Sequence, residues 1–170
     1  MGSTPDRMLT HLIRYLRHAM PRMRMPMSTL GQEFELVDAY LQIACIRMGG
    51  RLTVAVDIPQ FLRGTPFPPL IVQTLVENAL KHGVELKTGP VAIRVFATKT
   101  NGSIQVTVSD TGVGLEHAAT PGSGTGLANT RARLKAIYDG KAQLLIATLP
   151  GGGVQALVTI EETELDESKK

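Results

Sequence analysis

The stretch Val76-Glu77-Asn78-Ala79-Leu80-Lys81-His82 reads as the second half of an amphipathic helix over Leu70–His82, with Gly83 as its stop. On a helix, Asn78 and His82 stand four residues apart and share a face, while Glu77 and Lys81 form the adjacent row. Leu75, Val76, Ala79 and Leu80 supply the buried side. One groove is thereby offered a carboxylate, an amide oxygen, an ammonium and an imidazole. Taken alone, the same pattern also describes a solvated face with a surface Glu–Lys pair. Two segments further along the chain bear on the choice.

Val91–Thr98 and Ser103–Asp110 alternate like strands and are joined through Asn101-Gly102, a strong type I′ hairpin signal. The second strand runs into Ser109-Asp110-Thr111-Gly112-Val113-Gly114-Leu115. Asp110 has the parity of Ile104, Val106 and Val108, which puts its carboxylate on the core side of the sheet. An acid there needs a partner, because an unpaired buried carboxylate is very costly. An adenine exocyclic amine would satisfy it, with Gly112 and Gly114 letting the backbone come close to the ring. The plainer alternative is an Asp-x-Gly turn in which Asp110 caps backbone amides.

Gly122-Ser123-Gly124-Thr125-Gly126-Leu127 leads directly into a helix from about Leu127 to Tyr138. Alternate glycines ahead of a helix N-terminus make a concave array of N–H groups suited to phosphate oxygens. A flexible linker is the alternative, but linkers rarely run straight into a sequence such as Leu127-Ala128-Asn129-Thr130-Arg131-Ala132-Arg133-Leu134. No G-x-x-x-x-G-K-[ST] run occurs, and the Rossmann spacing fails because the position it needs is Leu127. The His-Arg-Asp and Asp-Phe-Gly signatures of protein kinases are absent too.

Outward from these segments, Pro5 to about Ala19 is a helical arm, with Met8, Leu9, Leu12, Ile13, Leu16 and Met20 at helical steps until Pro21 and Pro26 break it. Its apolar stripe is expected to pack on the main domain or on another copy of itself. Thr29 and Gln32 fit a capping box opening a second helix, with Phe34, Val37, Leu41, Ala44 and Met48 on one face and Gly49-Gly50 at its end. Leu52–Ile58, Gln143–Leu149 and Val154–Glu161 alternate as further strands. The order is that of an α+β layer: a mostly antiparallel sheet with helices over one face, plus the arm. Residues 1–3 read as an expression scar, 4–28 as arm and linker, 29–161 as one domain and 162–170 as a charged tail.

Composition narrows the field. The 170 residues are 43% hydrophobic and 19% charged, so the chain can bury a real core. No apolar run approaches the roughly 20 residues that span a bilayer. Cys45 is the single cysteine, which excludes an intrachain disulfide and a Cys-rich zinc site. The net charge of +3 does not point to nucleic acid. Residues 1–30 carry Arg7, Arg14, Arg17, Arg22 and Arg24 against Asp6, a net of +4, so the remaining 140 residues sum to −1. With no Trp and 4% aromatics, a base-stacking platform is not built either.

Together the three segments resemble the N-box, G1 box and G2 box of the Bergerat-fold ATPases: gyrase, Hsp90, MutL and the histidine kinases. The resemblance narrows to LytS-type sensor histidine kinases in Leu36-Val37-Asp38-Ala39-Tyr40-Leu41-Gln42-Ile43, in Arg47-Met48 and Arg51-Leu52, and in the run from Pro69 to Gly83. It covers the chain from about residue 8 to 161. It implies a two-layer α/β sandwich holding ATP with Mg²⁺. Asn78 would give its side-chain oxygen to the metal, and Asp110 would read the adenine amine. Gly112, Gly114, Gly122, Gly124 and Gly126 would shape the pocket and its lid, with 116–121 as the lid and Leu127 at the pocket. Lys81 and His82 would reach the phosphates. Glu77 would be catalytic, polarising an acceptor imidazole, or water in an idle turnover. Thr159 would add a water-mediated adenine contact.

The same resemblance implies, as partners, a histidine-containing dimerisation domain of the same protein and a response regulator, and no nucleic acid. The whole protein is expected to be a membrane-associated homodimer with this domain in the bacterial cytoplasm. LytS-type kinases phosphorylate a histidine in a His-Phe-Leu-Phe-Asn-like helix, which none of His11, His18, His82 and His117 fits. Leu9–Met20 instead resembles a later helix of the family, with Arg14-Tyr15 as its Arg-Tyr pair. The chain is therefore expected to start after the phosphoacceptor and not to phosphorylate itself. Two other readings use the same boxes: an anti-sigma-factor serine kinase or MutL-like ATPase, and a non-catalytic nucleotide-binding scaffold. The Tyr40–Leu52 match and the basic arm count against the first, and the intact boxes count against the second.

Overall fold

The computed structural model describes residues 4–115 and 124–162. Helix α1 is Thr4–Arg22, one turn longer than the pattern suggested. Pro21 falls in its last turn, where the amide it lacks removes only a terminal bond. A short strand β1, Ser28–Thr29, enters helix α2, Leu30–Arg47. The Thr29–Gln32 capping box forms in both directions: Thr29 Oγ1 accepts from the Gln32 amide and the Gln32 side chain accepts from the Thr29 amide, each at 3.3 Å. After Gly49 and Gly50, both in the left-handed region, come strand β2, Leu52–Asp57, and β3, Pro66–Phe67, which pairs antiparallel with β1.

Helix α3, Ile71–Asn78, is shorter than expected. From Ala79 to Val84 the chain winds as a π-helix, so Gly83 lies inside a helical turn, buried, and does not end it. Strands β4, Val91–Thr100, and β5, Ser103–Asp110, form the hairpin, with Asn101 and Gly102 at φ 50° and 74° as a type I′ turn requires. Helix α4 runs Gly124–Tyr138, beginning three residues earlier than expected. Strands β6, Ala142–Thr148, and β7, Val154–Glu161, complete the chain's regular structure.

The main sheet has the order β2-β4-β5-β7-β6. Only β2–β4 is parallel; the other three pairings are antiparallel. Ile93, Val95 and Ala97 of β4, Ile104, Val106 and Val108 of β5, and Ala156, Val158 and Ile160 of β7 are buried on one face. They join Val37 and Leu41 of α2, Val72, Leu75 and Val76 of α3 and Leu134 of α4 in a single core. This is the two-layer α+β architecture with helices on one face. No helix among the described residues is long and apolar enough to cross a membrane.

The arm lies on α2. Arg14 pairs with Asp38 at 3.1 Å, and Tyr15 meets Tyr40 with ring centroids 5.6 Å apart. Its apolar stripe does not pack on the domain: Leu9, Leu12, Ile13, Leu16 and Met20 are exposed and Met8 is half-buried, while Ala19 and Arg22 are the residues of α1 that are buried. Two arginines, one ending α2 and one just after it, hold the loop that follows the π turn. Arg47 pairs with Glu85, and Arg51 donates to the carbonyls of Lys87 and Gly89.

The start of α3 is unusual. Leu70, its N-cap residue, adopts φ 65° and offers no side-chain cap. A carboxylate from another helix lies near that end: Glu33 of α2 is fully buried, and the amides of Leu70 and Val72 favour its charged form. Neither oxygen is met at full hydrogen-bond geometry, and burial outweighs the donors, pushing the carboxyl up to about 7. Between its ordinary value near 4.5 and about 7, the folded chain holds a proton that the unfolded chain has lost. The resulting stabilisation is complete below 4.5 and disappears as pH rises through 7. Urea unfolding at pH 5 and pH 8 should show the wild type losing on the order of 3 kcal/mol more than Glu33→Gln over that interval. Equal losses would contradict this.

Candidate functional site

A cavity of about 90 Å³ opens between the helical layer and the sheet. Its wall is mostly hydrocarbon: Leu75 and Ala79 from the α3 segment, Val108 of β5, Leu115, Leu127 of α4, Ile146 of β6, and Val154 and Ala156 of β7. Three polar side chains enter it, those of Asn78, His82 and Asp110. Asn78 ends α3 and His82 lies in the π turn. The wider turn changes the angular step after Asn78, so the two residues share the cavity although they are not on continuous α-helix.

Asp110 is the last residue of β5 and is 4% exposed. Its parity on the strand places it with the buried residues Ile104, Val106 and Val108. Burial pushes its carboxyl up, while the amides of Gly112 and Val154 and the charge of Lys87 pull the other way. The Gly112 amide donates to Asp110 Oδ1 at 2.7 Å. The turn reading of Asp110 is met, since backbone amides act on the carboxylate, and a carboxylate has about four acceptor positions, so acceptor capacity is left over.

The cavity floor depends on close backbone contact. A Cβ on Gly112 would overlap the backbone of Gly83, and one on Gly83 would stand 2.7 Å from Asp110 Oδ1. Gly153, at φ 87°, lies so near that a Cβ there would overlap the Asp110 carbonyl. Gly114 also has a left-handed backbone, φ 83°, and is buried. Gly124 opens α4, and Gly126 in its first turn abuts Thr74 of α3, where a Cβ would stand 3.8 Å from Thr74 Cγ2. Gly122 and the segment 116–121 lie outside the described residues.

Of the expected site residues, Asn78, His82, Asp110 and Leu127 line the cavity, whereas Gly112, Gly114, Gly124, Gly126, Lys81 and Glu77 are not part of its wall. Lys81 is exposed on the outer side of the π turn. Glu77 accepts from Gln73 Nε2 at 3.1 Å and faces the junction of α1 and α2, where its charge adds to burial in raising the phenols of Tyr15 and Tyr40. Thr159 lies on the other face of β7 from Ala156 and Val158, so it does not reach the cavity either. Sequence reasoning missed Gly83 as a contact of Asp110, taking it for a helix stop, and gave Gly153 no role. The run Pro150-Gly151-Gly152-Gly153 was the available signal for a backbone approach.

Comparison with known proteins follows the same lines. Residues 66–164 match the family model of histidine kinase-, DNA gyrase B-, and HSP90-like ATPases, and the chain belongs to that family. It is 31% identical over 149 residues to the sensor protein LytS of Staphylococcus haemolyticus, an alignment covering 81% of this chain and 26% of that protein. It is 32% identical over 141 residues to the sensor histidine kinase YesM of Bacillus subtilis, covering 81% and 24%. The chain thus spans about a quarter of the length of these curated relatives. In fold it is similar to the catalytic domain of the histidine kinase ThkA, with a TM-score of 0.63 at 14% identity over 82% of this chain and all of that one. It is also similar to the histidine kinase domain of the blue-light activated kinase EL346 of Erythrobacter litoralis, at 0.56 and 16% over 94% and 75%. Family, relatives and fold agree on an ATP-binding catalytic domain of the sensor histidine kinase type.

The two glycines of the floor separate stability from binding. Gly112→Ala sets a Cβ against backbone that cannot step aside, and urea unfolding should show a loss of about 3 kcal/mol or more. Gly83→Ala instead presses on the Asp110 carboxylate, so nucleotide affinity should fall while stability changes by about 1 kcal/mol or less. Similar stability losses in both variants would refute this division.

Proposed function

We propose that this chain is the phosphoryl-donor half of a two-component relay: it binds ATP and passes the γ-phosphoryl to a histidine, from which an aspartate of a response regulator takes it. The observation that carries the reading is the meeting of Asn78, His82 and the buried Asp110 at one apolar cavity. An aromatic base suits hydrocarbon walls with few polar groups. Asp110, already oriented by two amides, retains acceptor capacity for an exocyclic amine. Gly112, Gly114, Gly122, Gly124 and Gly126 would line the path of the phosphates, with Leu127 against the base and segment 116–121 as a lid.

Mg²⁺ fits the residues present. The buried Asn78 Nδ2 lacks a hydrogen-bond partner, so no bond on that side fixes the turn of the amide, and its oxygen can be presented to the ion. Among the described residues no cluster of three or more His, Cys, Asp and Glu could hold a metal by itself. One amide oxygen completed by phosphate oxygens and waters is the arrangement this hard ion accepts. When bound, it would neutralise charge on the transferring group. Lys81 and His82 would add to that neutralisation from the rim and the wall.

Glu77 stands outside the cavity, on the side turned to α1 and α2, where an acceptor imidazole would approach. There it would hold the imidazole by hydrogen bond and accept its proton as the phosphoryl arrives. The acceptor is proposed to be none of His11, His18, His82 and His117, so this chain alone should not gain acid-labile phosphate. The wider arrangement is proposed as well: residues 29–161 as the ATP-binding unit, 4–28 as the end of a dimerisation helix, and 162–170 as a tail. The whole protein is read as a homodimer at a bacterial membrane, with this unit on the cytoplasmic side.

Calorimetric titration with a non-hydrolysable ATP analogue tests the site. Asp110→Asn should weaken binding at least tenfold with or without Mg²⁺, by losing an acceptor inside an apolar cavity. Asn78→Ala should weaken it with Mg²⁺ and make little difference in EDTA. Unchanged affinity in both variants would sink the proposed site.

A further inference from the structure

The cavity uses the C-terminal end of α3 and the turn beyond it. The other end of the same helix is met by Glu33, a buried carboxylate to which the reading above assigns nothing. Charged and donor groups from three other elements face it: Arg22 from the last turn of α1, Arg133 from α4, and the amides of Leu70 and Val72 at the start of α3. On its own helix, Glu35 acts on Arg22 as well. Arg22 is 6% exposed and donates to the Gln32 carbonyl, so it is fixed beside Glu33. Arg133 donates to the Pro69 carbonyl at 2.9 Å, immediately before the left-handed Leu70.

We propose that charged Glu33 is a positioning residue for the nucleotide site: reaching from α2, it caps α3 and holds Arg22 and Arg133 around that end, so fixing the helix that delivers Asn78 and His82 to the cavity. The inference rests on the nucleotide reading of that cavity. The physical grounds are three. First, α3 supplies no cap of its own, and its orphan amides and the helix dipole favour an anion. Second, α3 is only eight residues long, so an axial slip at Ile71 is passed undiminished to Asn78. Third, a buried charge is usually a net cost to stability, and a hydrophobic replacement is often the more stable choice. Glu33 is fully buried with both oxygens unpartnered, so its charged form is the one that the amides of Leu70 and Val72 and the charges of both arginines favour; α4 is joined to the same helix where Gly126 abuts Thr74 and Arg133 donates to the Pro69 carbonyl. Because Arg22 belongs to α1, the seating of the arm enters the same balance.

Stability and binding then respond to pH in opposite directions, which a merely structural role would not produce. The test is calorimetric affinity for a Mg²⁺-bound non-hydrolysable ATP analogue from pH 6 to 8.5, with urea unfolding at the same pH values. Wild type, Glu33→Gln, Arg22→Met and Asp110→Asn are compared. Glu33→Gln should bind roughly five- to tenfold more weakly than wild type at pH 8.5 and approach it at pH 6, although it is then the more stable protein at high pH. Groups other than Glu33 are common to both profiles, so their difference belongs to Glu33. Arg22→Met removes a cation without touching α3 and should move the midpoint of the wild-type profile to higher pH. An affinity ratio that does not change with pH overturns the proposal. So does an unmoved midpoint in Arg22→Met, which decides the matter should Glu33→Gln fail to fold. Wild-type affinity in Asp110→Asn would instead refute the cavity reading itself.

Discussion

Gly83 and Gly112 meet backbone to backbone, and the rest of the site depends on that contact. It joins the helical layer to the end of β5 at the point where the strand presents Asp110. A side chain on either glycine would force the layers apart or displace the carboxylate. Gly153, from the turn between β6 and β7, closes on the Asp110 carbonyl from another direction. Three segments far apart in the chain therefore agree on the position of one acid. The hydrocarbon-walled space lies beside that acid.

Two buried acids among the described residues show how differently one chemical group can be used. Asp110 is oriented by amides from its own turn and from β7, and it lines a cavity. Glu33 lines none. It lies among the ends of three helices, facing two arginines. Both are held above their ordinary range by burial, but only Glu33 is raised to about 7. The positive excess on residues 1–30 gains a partial structural meaning from this arrangement, because Arg22 is buried beside Glu33 and Arg14 is paired with Asp38.

Much of this was legible in the sequence where the signal was local. The hairpin at Asn101-Gly102, the capping box at Thr29 and the inward parity of Asp110 each follow from a few neighbouring residues, and each is present in the structure. Asn78, His82, Asp110 and Leu127 were named from their segments and do converge on one cavity. What stayed hidden depends on packing between segments. The π turn that keeps Gly83 inside a helix has no period of its own to read, because it is set by contact with β5. Glu33 looked like an ordinary first-turn acid of α2, since nothing in its neighbourhood announces the uncapped end of α3 that lies against it. Glu77 and Lys81 share the motif but not the cavity, because the row of side chains they occupy turns away from the sheet.

The one parallel pairing, β2 with β4, has a kinetic consequence. Leu52 pairs with Val91, and all of α3 and the π turn lies in the connection between the two strands. Closing that loop carries an entropic cost before any strand contact rewards it, whereas the β4–β5 hairpin closes across two residues. Strand β2 can add to the sheet only when the connecting helix has found its place, so the segment bearing Asn78 is built into the order of assembly. Helix α4 is under a different constraint, since the strands on either side of it, β5 and β6, are separated by β7. The half of the cavity that holds Asn78 is thus secured by topology, while α4, which brings Leu127 to the wall, joins no two adjacent strands.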